Sequence, residues 1–206
     1  MEPITLAMAK GRTTEDTMAL LETAGIYFTD LHEKSRKLVF YSADKSIKLI
    51  FVKAVDVPTY VEKGAADIGI VGKDNILEAQ ADVYEMLDLR LGRCKFVVAG
   101  KPDQYPEKNL TIASKYPAVA KKHFQKKGTS IETVKLNGSV ELAPLIGLAD
   151  IIVDIVETGN TINENGLTIF EELEDISTRL IVNKASFATK SASIDLFITN
   201  LKSSLE

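Results

Sequence analysis

The chain has 206 residues, 45% of them hydrophobic and 26% charged, a globular composition that excludes a disordered or fibrous protein. A formal net charge of −4 argues against a general nucleic-acid binder or a membrane-surface protein, and no apolar run approaches the ~20 residues of a membrane-spanning helix. One cysteine, Cys94, and two histidines, His32 and His123, rule out a disulfide scaffold and make a structural zinc site untenable.

In chain order, Ile4 to Met8 reads as a buried strand and Thr14 to Ala24 as a helix stopped by Gly25. Thr13 or Thr14 is placed to cap that helix, with Glu15 and Asp16 near the positive end of its dipole. Leu38 to Tyr41 and Ile47 to Val52 read as strands around a Ser42-Ala43-Asp44-Lys45 turn, and Val55 to Lys63 as a helix ended by Gly64. Ile68 to Val71 is a strand, and Asp74 is positioned to cap a helix from about Asn75. Strands are expected at Tyr84 to Leu91, Lys95 to Ala99, Leu110 to Ala113 and Ile131 to Lys135, with helices at Pro117 to Lys127 and Val140 to Leu148. Asp150 to Ile155 is nearly all apolar, the pattern of a strand buried on both faces of a parallel sheet. Ser186 reads as the N-cap of a last helix ending near Leu201.

Alternation of this kind predicts an α/β protein with mostly parallel strands. Gly100-Lys101-Pro102-Asp103 is the strongest internal break, and a last strand and helix are expected to return to the first lobe. Two α/β lobes with a central cleft follow, and the cleft is the default ligand site. The N-terminus, with Glu2 and no apolar core behind it, reads as free of a secretory signal, so a cytoplasmic protein is expected.

The most informative stretch is Ala149 to Leu167, a buried strand ending in acid that opens into Thr158-Gly159-Asn160-Thr161. Loops beyond the carboxyl ends of strands are where open α/β sheets bind ligands. Gly159 permits positive φ, so the amides around it can converge on an anion, and the two threonine hydroxyls add donors. Asp154 and Glu157 suit the vicinal hydroxyls of a ribose, which donate charge-assisted hydrogen bonds to carboxylates. Hydroxyl-binding acids beside a phosphate nest describe a site for a ribose 5-phosphate. The same residues also fit a plain strand and turn in which Asp154 and Thr158 satisfy local backbone groups, and the residues alone leave both readings open.

Lys10-Gly11-Arg12 lies between the first strand and the first helix, a placement that attracts pyrophosphate, although taken alone an ordinary surface turn is the plainer reading. It lacks the Gly-x-x-x-x-Gly-Lys spacing of a P-loop, which disfavours a Walker-type nucleotidase. Arg36 and Lys53 also sit at element ends, where a solvated charge is the plainer interpretation. The small residues between Gly64 and Gly72 permit either close approach of a ligand or tight helix–strand packing. No Gly-x-Ser-x-Gly elbow occurs, Cys94 reads as buried core beside a strand, and both histidines read as exposed. Chemistry by positioning and charge stabilisation, with no covalent protein intermediate, fits best.

LAMAKGR, SRKL, DVPTYVEKGAADIGIVGKDNILE, LGRCKFVVAG, TIASKYPAVAKKHF and GLADIIVDIVETGNTINENGL together resemble the catalytic polypeptide of the ATP phosphoribosyltransferase family, over nearly the whole chain. The last block is also similar to the phosphoribosyl-diphosphate (PRPP) motif of other phosphoribosyltransferases, with Ile155 where a second consecutive acid is common. The resemblance implies a two-lobed fold of the periplasmic-binding-protein type (type II), with lobe I at 1–92 plus 169–206 and lobe II at 93–168. It implies a pentosyltransferase that opens histidine biosynthesis: N1 of ATP displaces pyrophosphate from C1 of PRPP, with inversion, giving phosphoribosyl-ATP.

By the same resemblance, Glu157, Thr158, Gly159, Asn160 and Thr161 anchor the 5-phosphate, and Asp154 holds ribose hydroxyls. Lys10, Arg12 and Arg36 neutralise the departing pyrophosphate, Arg36 either in its own subunit or across a subunit boundary. Gly11, Lys53, Asp74, Leu91 and Cys94 border the ATP. Mg²⁺ is expected through the substrate phosphates, with no protein ligand assigned. The chain length resembles the short form of the family, which implies a separate regulatory subunit resembling histidyl-tRNA synthetase in a hetero-octamer, with no nucleic-acid or membrane partner. A small-ligand binding or sensor protein on the same fold, and a phosphoribosyltransferase acting on another base, are the alternatives.

Overall fold

A computed structural model describes residues 3–11, 13–31, 37–102, 105 and 110–205. Arg12, His32 and Arg36 lie outside the described residues. The chain divides into two compact units, one formed by Met1–Gly92 with Ser177–Glu206 and the other by Arg93–Ile176.

The first unit is built on a six-stranded sheet ordered β2-β3-β1-β4-β11-β5. Its centre is β1 (Ile4–Ala9), flanked in parallel by β3 (Ile47–Val52) and β4 (Ile68–Gly72). At one edge β2 (Val39–Tyr41) runs antiparallel to β3; towards the other, β11 (Thr178–Val182) lies antiparallel between β4 and β5 (Tyr84–Asp88). Leu6 and Met8 face one core with Leu21 of α1 (Thr14–Thr23) and Ile194, Phe197 and Leu201 of α8 (Ser191–Ser203). The spacing of those three α8 residues keeps them on a single helix face. Ala7 faces the opposite core, with Val57 and Val61 of α2 (Val57–Glu62), Ile76 of α3 (Lys73–Ala79) and Ile181.

The second unit carries a five-stranded sheet ordered β10-β6-β9-β7-β8. Here β9 (Ile151–Val156) runs parallel to β7 (Leu110–Ser114), and β7 parallel to β8 (Ile131–Lys135). β6 (Cys94–Gly100) and β10 (Thr168–Ile176) form antiparallel pairs. Between these strands stand α4 (Pro117–Lys126), α5 (Leu142–Leu145) and α6 (Asn160–Glu164).

Eight of the eleven described strands run in one direction within their sheet, as expected of mostly parallel strands, while β2, β6 and β11 run against the rest, and for β6 and β11 the path of the chain explains why. β6 and β11 begin directly after the two crossings between units, at Gly92/Arg93 and Ile176/Ser177. Each enters at the carboxyl edge of the parallel strands and can only run back against them. The return crossing lies at 176/177 rather than 168/169, because β10 pairs with β6 from Thr168 to Ile176. Nor is Gly100 a linker residue: it ends β6, where a Cβ would lie 2.8 Å from the Phe170 ring.

Several local expectations change in the same way. The helix expected over 140–148 is only Leu142–Leu145, since Pro144 has no amide to donate to the Val140 carbonyl, which blocks an earlier start, and Gly147 turns the chain out at φ +75°. The strand expected to Leu91 stops at Asp88, because Arg90 and Gly92 both take positive φ. Gly72, not Asp74, precedes α3. Ser186 does not begin the last helix: Asn183 caps α7 (Lys184–Thr189) by accepting from the Ser186 amide at 2.8 Å, and α8 starts at Ser191. The Ser186 hydroxyl instead donates to buried Asp67, which also accepts from the Thr5 amide and from Lys190. His123, expected to be exposed, is 19% exposed at its side chain and lies 3.4 Å from Glu171, while Cys94 is half-buried rather than core.

Candidate functional site

In the second unit, Ile151, Ile152 and Val153 are fully buried, Asp154 to Val156 are half-buried, and the chain then surfaces at Glu157 and Thr158. Gly159 takes φ +79° and turns the strand directly into α6. Only glycine adopts this conformation without cost; space is not the constraint, since a Cβ would meet Ile169 at an ordinary 3.5 Å. Thr158 to Thr161 is not a loop throughout, as the sequence leads one to expect: Asn160 and Thr161 open a helix. The first amides of any helix have no carbonyl of their own helix to bind and point back over the preceding residues, here Glu157 to Gly159. Two local bonds belong to the plain strand-and-turn reading: Asp154 Oδ1 accepts from the Ile155 amide at 2.8 Å, and Thr158 Oγ1 from the Asn160 amide at 3.4 Å.

β7 ends beside this loop. Ser114 is opposite Val153, and its buried hydroxyl donates to the Val153 carbonyl at 2.5 Å while accepting from the Tyr116 amide at 2.8 Å. Ser114 and Lys115 carry no role in the sequence reading, although Lys115 repeats the pattern of Lys10 and Lys53, a cation just past an apolar strand.

In the first unit, strand register gathers most of the remaining candidates at one edge. Ala9 pairs with Val52, and Met8 with Ile70. Lys10, Lys53 and Asp74 therefore follow the carboxyl ends of three neighbouring parallel strands. The turn at Gly11 is stapled by Thr14, whose hydroxyl accepts from the Gly11 amide at 2.6 Å and donates to the Ala9 carbonyl at 3.1 Å. Lys10 is exposed, with its ammonium 5.2 Å over the Phe51 ring, and Lys53 is exposed. Asp74 is 7% exposed; it accepts from Asn75 Nδ2 and folds back so closely on Gly72 that a Cβ there would lie 2.2 Å from Oδ1.

Leu91 packs on the core of the first unit, and its carbonyl accepts from the Thr178 amide. Cys94 opens β6 in the second unit, opposite Ile176. Gly69 settles the role of one small residue: a Cβ would lie 2.7 Å from Val61 and 2.9 Å from Val57, so it serves the packing of α2 on β4. Among the described residues no group of three or more His, Cys, Asp or Glu side chains is arranged to hold a metal ion, and no helix is long and apolar enough to cross a membrane.

A family model described as ATP phosphoribosyltransferase matches residues 53–203. A relative of that name from Oceanobacillus iheyensis is 62% identical, covering 98% of this chain and 98% of its own. Another, from Listeria innocua, is 50% identical over 100% of this chain and 98% of its own. Among solved structures, an ATP phosphoribosyl transferase (HisG:HisZ) complex from Thermotoga maritima has a chain that superposes with a TM-score of 0.87 at 36% identity, covering 98% of each chain. The VFT2 domain of Bordetella pertussis BvgS superposes with a TM-score of 0.56 at 14% identity, over 99% of this chain and 92% of that one, a likeness of fold alone.

Proposed function

The chain belongs to the ATP phosphoribosyltransferase family, and on that premise we propose that the turn from β9 into α6 holds the 5-phosphate of PRPP. The enzyme transfers the phosphoribosyl group of PRPP to N1 of ATP, releasing pyrophosphate, in the first step of histidine biosynthesis. The observation that carries the site is Gly159 at φ +79°, which takes the chain from the acid-ended strand β9 straight into α6, so that the helix's first amides follow directly on Glu157 and Thr158.

In this reading Glu157 and the residues from Thr158 to Thr161 surround the phosphate with backbone amides and hydroxyls, and Asp154 accepts from ribose hydroxyls. Holding the sugar at both ends fixes C1, so that attack becomes a step within one complex. N1 of the unprotonated adenine ring of ATP carries a lone pair and no proton, so the attack needs no general base. Lys10, Arg12 and Arg36 stabilise the charge that gathers on the departing pyrophosphate, the largest electrostatic change in the reaction. Gly11, Lys53, Asp74, Leu91 and Cys94 remain the proposed surroundings of ATP.

Mg²⁺ is part of the proposal. The residues present fit an ion carried by the substrate, with no protein ligand assigned: among the described residues no three His, Cys, Asp or Glu side chains form a cage, and Mg²⁺ favours waters and phosphate oxygens over an all-protein site. When bound it would supply positive charge to the diphosphate. We also propose a separate regulatory subunit resembling histidyl-tRNA synthetase, in a hetero-octamer and in the cytoplasm. The likeness to a chain from the HisG:HisZ complex supports that reading. Pyrophosphate release from PRPP plus ATP, assayed with and without such a subunit, tests the activity, and a binding or sensor protein would give none in either case.

A further inference from the structure

Lys115 directly follows β7, and the Ser114–Val153 pairing sets it level with Asp154, at the sheet edge where the 157–161 segment emerges. The backbone there is fixed from both sides by the buried Ser114 hydroxyl. The Lys115 side chain is half-buried, with its ammonium 5.4 Å over the Tyr116 ring, and among the described residues no carboxylate pairs with it. Lys95, on the strand at the other side of β9, is engaged by Glu172 at 2.6 Å. Residues 154–161 contain two acids, Asp154 and Glu157, and no cation. A phosphate monoester brought there adds up to two further negative charges, which amides and a short helix offset only in part.

We propose that Lys115 is a further binding residue of the enzyme, supplying from β7 the cation that pairs with the 5-phosphate of PRPP. The proposal rests on the reading of 157–161 as the phosphate turn. A half-buried ammonium of this kind is a point charge whose hydrogen bonds to phosphate are of the strong, charge-assisted type.

The test is titration of the full-length chain with ribose 5-phosphate and, separately, with inorganic pyrophosphate. The variants are Lys115→Met, Lys115→Gln, Lys115→Arg and Thr158→Ala, with thermal midpoints recorded so that a misfolded variant is replaced by its partner. The expected result is a Kd for ribose 5-phosphate raised about tenfold or more in both neutral variants, with most affinity kept in Lys115→Arg. A weaker salt dependence in the neutral variants and unchanged pyrophosphate affinity complete the expectation. If Thr158→Ala weakens ribose 5-phosphate and the neutral Lys115 variants do not, the lysine assignment is overturned and the turn stands. If none of these variants weakens it, both fall. Loss of pyrophosphate affinity with ribose 5-phosphate retained overturns the assignment to the 5-phosphate.

Discussion

The hydroxyl of Ser114 donates to the carbonyl of Val153 across the β7–β9 pair, and both residues are fully buried. That bond ties the end of one strand to the last deeply buried position before the proposed phosphate turn. Ser114→Ala strands the Tyr116 amide and removes the donor to Val153, at a cost of about 1–3 kcal/mol in stability. Urea midpoints would show the loss, and PRPP affinity is expected to fall while ATP affinity holds.

Asp154→Ala and Thr158→Ala are each expected to weaken PRPP binding by about 1–3 kcal/mol, the range for removing one partner of a polar group. Calorimetric titration reads this directly. Asp154 also accepts from its neighbour's amide, so the binding loss should exceed any loss of stability if ribose recognition is its main role.

Two glycines separate packing from site geometry. Gly69→Ala drives a methyl into Val57 and Val61 and is expected to cost about 1–3 kcal/mol of stability, with substrate affinities unchanged in the folded fraction. Gly159→Ala meets no crowding but forces an L-residue to φ +79°, a strain of about 1–2 kcal/mol, so its mark should be on PRPP affinity as well as on melting.

Arg12→Ala is expected to lower turnover more than it weakens ATP binding, because its charge matters most as pyrophosphate leaves. Single-turnover rates and equilibrium ATP binding distinguish this from an ordinary binding contact, for which affinity would fall and the rate would hold.

Burial, opposed by Glu171, holds His123 below its ordinary value of 6.5. The unfolded chain therefore takes up this proton first, and the contribution of neutral His123 to stability is complete above 6.5 and lost as the pH falls through and below it. Denaturation midpoints at pH 7.5 and 5.5 should fall further apart in the parent than in His123→Gln.

The central strands and α1 were legible because their apolar periodicity is clean: Ile4 to Met8 and Ile47 to Val52 sit one residue or less from the observed limits. β10 was not, since TIFEELEDI mixes acids into an edge strand whose register slips twice against β6. That strand also moved the return crossing from 168/169 to 176/177. At the site, acid followed by Thr-Gly-Asn-Thr was visible in sequence, whereas α6 was too short to show a period and Lys115 acquires meaning only through the pairing of β7 with β9.

The most direct measurement is a crystal structure of the full chain with PRPP and Mg²⁺. The expected density places the 5-phosphate within hydrogen-bonding distance of the backbone amides between Thr158 and Thr161, with ribose oxygens on Asp154. Sugar diphosphate bound at another edge of either unit, with no phosphate oxygen on those amides, would contradict the account.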